Sequence, residues 1–370
     1  MAKINLKERK NLEKKISAKK VIIPAIIGLF VVFGMLYFQI KGKNLSFNAV
    51  NFTYITAIFL FIAVLMMILR DIGYMWRFKI LSEHKVSWFQ AFRVIMLWEF
   101  ASAISPSAIG GTSVAVVFVY KEGISIGKST AIVMATSFLD EMYFLVMFPV
   151  MVFTVGPETL FTIGDISGLN FTNEFFYFAV IGYILKFIYI IFIAYGLFIN
   201  PVIIKKTILA IFSISPLRRW RTDARRAGLD IISNSKELKK KPFMFWLKTG
   251  FATVISWTSR YWVVNAVFVA FFAMKNKHIL LFARQLVMWI MMLVSPTPGG
   301  SGFSEYIFSE YLKDFMPQVV GIAIITAFIW RLLTYYPYLL AGVIIGPKWL
   351  GDKFRRERTG NSHLQISDKS

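Results

Sequence analysis

The chain has 370 residues, 57% of them hydrophobic and 17% aromatic, with a mean hydropathy of +0.61. Its apolar residues run in blocks of roughly 20, enough to cross a bilayer core, which excludes an ordinary soluble domain. The net charge of +22 comes from Lys and Arg outside those blocks, where an anionic inner leaflet and not nucleic acid is the expected partner, and the absence of Cys excludes disulfides and thiolate metal sites.

Residues 1–20 hold eight Lys and Arg and read as a basic cytoplasmic N-terminus. No small-residue cleavage site is evident, so the following apolar stretch, 21–40, is expected to be a retained first span. A second span is expected over 49–69. The next apolar segment, 88–104, ends in a Gly/Pro break and is followed by a short helix over 107–120. Spans over 129–153 and 175–198 flank the loop 154–174, which has no Lys or Arg and is expected outside. The stretch 199–242 carries KK, RRWR, ARR and KKK and is expected inside. After a span over 243–274, segment 279–294 breaks again and leads to a short helix over 299–312. A last span over 318–346 precedes a basic tail, 347–370, with KFRRER, also expected inside.

Six full spans meet these assignments if each broken segment returns to the side it came from. About ten residues separate each glycine cluster from Lys121 or Lys313, a helical rise of about 15 Å, half a bilayer. The expected fold is an all-α polytopic membrane protein, with six transmembrane helices plus two re-entrant helical hairpins in one membrane domain, 21–346. The hairpins also match each other. RVIMLWEFASAISPSAIGG (93–111) aligns with RQLVMWIMMLVSPTPGG (284–300), with Arg and Trp five residues apart, then Ser-Pro, then Gly-Gly. With their neighbouring spans they read as an inverted repeat, about 49–153 and about 243–346, a design that recurs in transporters with central sites.

Irregular backbone at membrane depth is tolerated where it is buried in protein or lines a wet cavity. Proline removes a donor, glycine permits close approach, and a helix N-terminus favours anions. Gly110, Gly111, Pro296, Pro298, Gly299, Gly300 and Gly302 are therefore candidate substrate-binding positions at two hairpin tips, and a tight packed turn is the alternative.

PTPGGSGFSE (296–305), WRLLTYYPYLLAGVI (330–344) and PSAIGGTS (106–113) resemble the flippase-like membrane domain of the lysylphosphatidylglycerol synthases (multiple peptide resistance factor), including stand-alone relatives, over about 20–346. The family usually has Arg just before the motif Glu, where this chain has Ser304. The resemblance implies translocation of a lipid or lipid-linked substrate between leaflets. The short stretch after the last span leaves no room for a synthase domain, so aminoacyl transfer by this chain is not expected.

Ionisable residues within spans are costly and usually face an interior cavity. Arg331, Arg260, Glu305 and Tyr335 are candidates for gripping an anionic headgroup, since guanidinium binds phosphate bidentately. Asp140, Glu141, Glu99 and Lys186 are candidates for ion pairing or for carrying a coupling proton. Mutual neutralisation is the alternative for each. Arg93 and Arg284 hold matching early positions on the hairpins, near opposite interfaces. His84, His278 and His363 are isolated, so no metal, nucleophile or cofactor is expected. The expected partners are membrane phospholipids, with a homo-oligomer compatible, and the expected location is the bacterial plasma (cell inner) membrane. A proton-coupled small-solute transporter and an intramembrane lipid-modifying enzyme remain open as alternatives.

Overall fold

The computed structural model describes Tyr37 and residues 52–349, apart from 106–107, 163–173, 212, 214–220, 273, 275–276, 293–296, 298, 301, 320 and 347–348. Apart from Tyr37 and Trp349, the expected span 21–40 and the basic termini lie outside the described residues, as do Pro296 and Pro298.

The described residues are helical, without strands. In chain order the helices are α1 (Tyr54–Leu81), α2 (Trp88–Ile104), α3 (Ala108–Lys121), α4 (Ile126–Val155), α5 (Pro157–Phe161) and α6 (Glu174–Ala194). They continue with α7 (Val202–Ile211), α8 (Arg221–Lys239), α9 (Phe243–Phe271), α10 (His278–Met291), α11 (Phe303–Tyr311) and α12 (Ile322–Thr334). Hydroxyl caps start three of them: Thr53, Ser87 and Ser125 each accept from the backbone N–H three residues on. Among the described residues, four helical stretches are long and apolar enough to cross a membrane: Tyr54–Leu81, Ile126–Val155, Phe176–Ile199 and Ile322–Gly346. The outward side of α6 is bare hydrocarbon, with Ile181, Leu185 and Ile188 exposed, a surface suited to lipid. This is a multi-pass membrane protein.

Two boundaries differ from expectation. Helix α1 runs to Leu81 instead of ending near residue 69, because Arg70, Tyr74 and Arg77 keep the helical period and are buried. The last span is interrupted at Tyr335, whose φ and ψ are −127° and −56°. Pro337 lacks the N–H that would bond the carbonyl four residues earlier, so the helix cannot pass through unbroken.

Helices α1 and α9 pack antiparallel along their lengths. The Thr56 hydroxyl donates to the Ala270 carbonyl (3.0 Å), Gly73 lies against Ser256, and Arg77 donates to Thr253 (2.9 Å). Helices α2 and α3 form a hairpin. Near its turn Gly111 is packed so closely against Ser102 that a β-carbon would not fit, and at its base Arg93 pairs with Glu122 (3.1 Å). Helices α10 and α11 also double back, and Arg284 pairs with Asp314 (3.0 Å) and donates to the Tyr311 carbonyl (3.2 Å).

The two hairpins open at opposite ends of the molecule. The base of the first adjoins the start of α4 and holds Trp349, whose indole donates to Glu122 (2.6 Å). The base of the second adjoins the far end of α4, where Arg284 donates to the Thr162 carbonyl (2.5 Å) and Tyr311 to the Leu160 carbonyl (3.1 Å). The intervening 30 residues of α4 rise about 45 Å. The tips meet between these ends, where Gly299 N–H donates to the Ser105 carbonyl (3.3 Å).

Candidate functional site

The second hairpin tip is a braced turn. Gly299, Gly300 and Gly302 have φ of +58°, +70° and +83°, a region that side chains rarely adopt. The short helix after the tip was expected to start at residue 299. It starts at Phe303, so these glycines form the turn itself. In the first hairpin Gly110 lies inside α3 and Gly111 faces α2.

The anion site expected at the start of α11 is filled from within. Glu305 folds back so that Oε2 accepts from Gly302 N–H (2.7 Å) and from the Ser304 hydroxyl (3.1 Å). Its Oε1 pairs with Arg331 Nε (2.7 Å), and Arg331 Nη2 donates to the Gly299 carbonyl (2.8 Å). The Tyr335 ring lies 4.1 Å from the Arg331 guanidinium, and its hydroxyl donates to the Ala103 carbonyl (3.1 Å). One buried chain of contacts thus links α12, the second tip and the first. Arg331 and Glu305 come together as partners, and the same residues stitch the two hairpins.

A larger charged core lies between α1, α2, α4 and α9. Arg70, fully buried, contacts Asp71 (2.8 Å) and Glu99 (2.5 Å) and donates to the Tyr338 hydroxyl (2.6 Å). Tyr338 in turn donates to Asp71 (2.9 Å). The ring of Tyr74 lies between two guanidiniums, 4.6 Å from Arg70 and 4.8 Å from Arg77. Arg77 and the Trp257 indole both donate to Asp140 (2.6 Å each). Apart from this core, Lys186 pairs with Glu141 (2.7 Å). Asp140 and Glu141, neighbours in sequence, therefore serve separate partners.

Arg260 is held differently. It makes no hydrogen bond among the described residues, and its nearest acid is Glu99, at 3.8 Å. Its side chain is 21% exposed and rests over Trp257 (5.4 Å) and Trp289 (4.9 Å). Glu99 belongs to the first hairpin and Trp289 to the second, so Arg260 stands between the two near their tips. Its donors are available to an incoming anion.

Arg70, Asp71, Arg77, Tyr74 and Tyr338 were not singled out in the sequence. The missed signal is the spacing of Arg70, Tyr74 and Arg77, which continues one face of a helix with no Gly or Pro to end it before the core is complete. Among the described residues, no group of three His, Asp or Glu could hold a metal ion.

The model of the lysylphosphatidylglycerol synthase TM region matches residues 17–342. The chain belongs to that family. It is also similar to a "UPF0104 membrane protein" of Archaeoglobus fulgidus, with 26% identity over 285 residues, covering 72% of this chain and 79% of that protein. No solved structure matches the chain. Family and apolar helices together support a membrane, lipid-related role.

Proposed function

We propose that the chain moves a phospholipid or lipid-linked anionic substrate between leaflets, acting as a transporter and not an enzyme. In this reading α1–α4 and α9–α12 form two repeats of opposite topology, whose hairpins dip into the membrane from opposite sides. The basic termini and the stretch 199–242 are cytoplasmic, and the membrane is the plasma membrane. The observation that carries the proposal is Arg260, an underpaired guanidinium between Glu99 of one hairpin and Trp289 of the other. A guanidinium with free donors suits a phosphate. The headgroup passes Arg260 while the acyl chains stay in lipid. Arg331 and Glu305 hold the tips in register, and Lys186–Glu141 fastens α6 to α4.

The test is leaflet-specific reduction of a fluorescent anionic phospholipid in vesicles holding the purified chain. Faster loss of the inner-leaflet signal than in empty vesicles is expected, and no difference would refute the proposal. A proton-coupled solute carrier is the competing reading, favoured by the acids Asp71 and Asp140 on long helices and Glu99 on the first hairpin. It predicts no lipid movement in that assay and solute uptake driven by a pH gradient.

A further inference from the structure

A cavity of about 420 Å³ lies on one flank of the α1–α9 pair, away from the charged core. It occupies the half of the molecule that holds the base of the second hairpin, between the Thr56–Ala270 bond and the Gly73–Ser256 contact. Its walls are largely apolar: Phe59, Ile62 and Met66 from α1, with Trp262, Ala266 and Val269 from α9. A cavity in this size range suits a small amphiphile. Beside it, Ile58, Phe61 and Leu65 of α1 are exposed, so it adjoins a lipid-facing surface.

Thr258, Ser259, Asn265 and His278 add polar groups to the lining, and two of these have atoms without partners. Asn265, 1% exposed, lines the cavity, and neither its amide oxygen nor its amide nitrogen has a partner. Nδ1 of His278, also on the lining and stacked against Trp262, has none either. A buried amide left unpaired costs free energy, so this donor and acceptor side by side call for a complementary group.

We propose that the cavity binds the chain of a lipid-like amphiphile carrying an amide, whose carbonyl accepts from Asn265 and whose N–H donates to it. The apolar walls take the hydrocarbon, and His278 lies beside the polar linkage. This site is separate from Arg260 and does not depend on the translocation reading.

The test uses a 16-carbon fatty amide with a mid-chain diazirine, and the matching hydrocarbon without the amide, on the full chain in detergent. Saturable crosslinking of the amide probe to 59–66 and 258–269 is expected, with labelling by the hydrocarbon about tenfold weaker. Asn265→Leu should weaken amide labelling by about tenfold. Ala266→Leu, which narrows the cavity without touching Asn265, should reduce labelling by both probes. Gel filtration checks that each variant folds, and the comparison of the two probes on the unaltered chain stands even if a variant does not. Equal labelling by the two probes, or unchanged labelling of Asn265→Leu, would overturn the proposal and leave Asn265 to water. So would a photocrosslink from position 66 to the chain's own 21–40 segment, which would make that segment the occupant.

Discussion

Arg331 and Arg260 both sit within the helical bundle beside a hairpin, and they are held in opposite ways. Arg331 is buried, with Nε on Glu305 and Nη2 on the Gly299 carbonyl. Arg260 is partly exposed and has a single acid, at 3.8 Å. The same side chain thus serves as a brace in one place and an open donor in the other. A charge bonded on several sides gives little to a ligand without first breaking its own contacts, whereas a loosely paired one can exchange its acid for a phosphate. Proximity to the family motif alone would have favoured Arg331 as the headgroup anchor; the geometry favours Arg260.

The largest effect is expected at the brace. Arg331→Leu leaves Glu305 buried without its partner and should cost about 3–5 kcal/mol of stability. Adding Glu305→Gln removes the stranded charge and should recover most of that loss, as read by thermal unfolding in detergent. If the double variant is no more stable than the single one, the pair is not the brace described here.

Gly299→Ala tests the same tip from the backbone side. A β-carbon there would lie 2.5 Å from Tyr335 Cε2 and 2.6 Å from the Ala103 carbonyl, at a φ of +58°. A loss of about 1–3 kcal/mol is expected, with Tyr335 forced off Arg331. Unchanged unfolding would show that the tips do not need this close approach.

At Arg260 the stability effect should be small. The pair with Glu99 is long and partly exposed, so Arg260→Gln is expected to shift stability by less than about 1 kcal/mol. A loss as large as that of Arg331→Leu would erase the distinction between the two arginines.

The smallest effect lies at the end of the molecule that holds the base of the first hairpin. There Glu83 takes hydrogen bonds from Lys241 (2.6 Å) and Lys128 (2.9 Å), which hold its carboxyl down to about 2 from an ordinary 4.5. A carboxyl lowered on folding stabilises fully above its unfolded value, and that contribution fades as pH falls from about 4.5 towards 2. Amide exchange at the α8–α9 junction should therefore quicken across that window, and the pH dependence should vanish in Glu83→Gln.

Much of the helical layout was legible in the sequence. The spans expected over 129–153, 175–198 and 243–274 match helical stretches 126–155, 174–199 and 243–271, because capping Ser125, Gly156 and Pro242 bound long apolar runs. Lys186 and Glu141, each a candidate for ion pairing or for a coupling proton, lie 2.7 Å apart. What could not be read was which distant charges meet. Arg70 and Tyr338 are separated by 268 positions, and Arg77 and Asp140 by 63. Such contacts depend on helix rotation, which hydropathy leaves open. The end of α1 was not legible because Arg70 and Asp71 close the apolar block, although the helix continues to Leu81 with Arg70 and Arg77 buried. Ser304 donates to Glu305 at 3.1 Å, a local bond that sequence could not show.

The most direct test of the central claim compares two variants in one lipid-translocation assay. Vesicles holding Arg260→Gln and vesicles holding Arg331→Leu with Glu305→Gln are scored for movement of a fluorescent anionic phospholipid, after each protein is confirmed to be folded. Arg260→Gln is expected to slow movement at least about tenfold, the loss of one charge-assisted phosphate contact, while the double variant keeps a rate nearer that of the unaltered chain. Movement at the unaltered rate in Arg260→Gln, with loss confined to the double variant, would contradict the account and return the headgroup to Arg331.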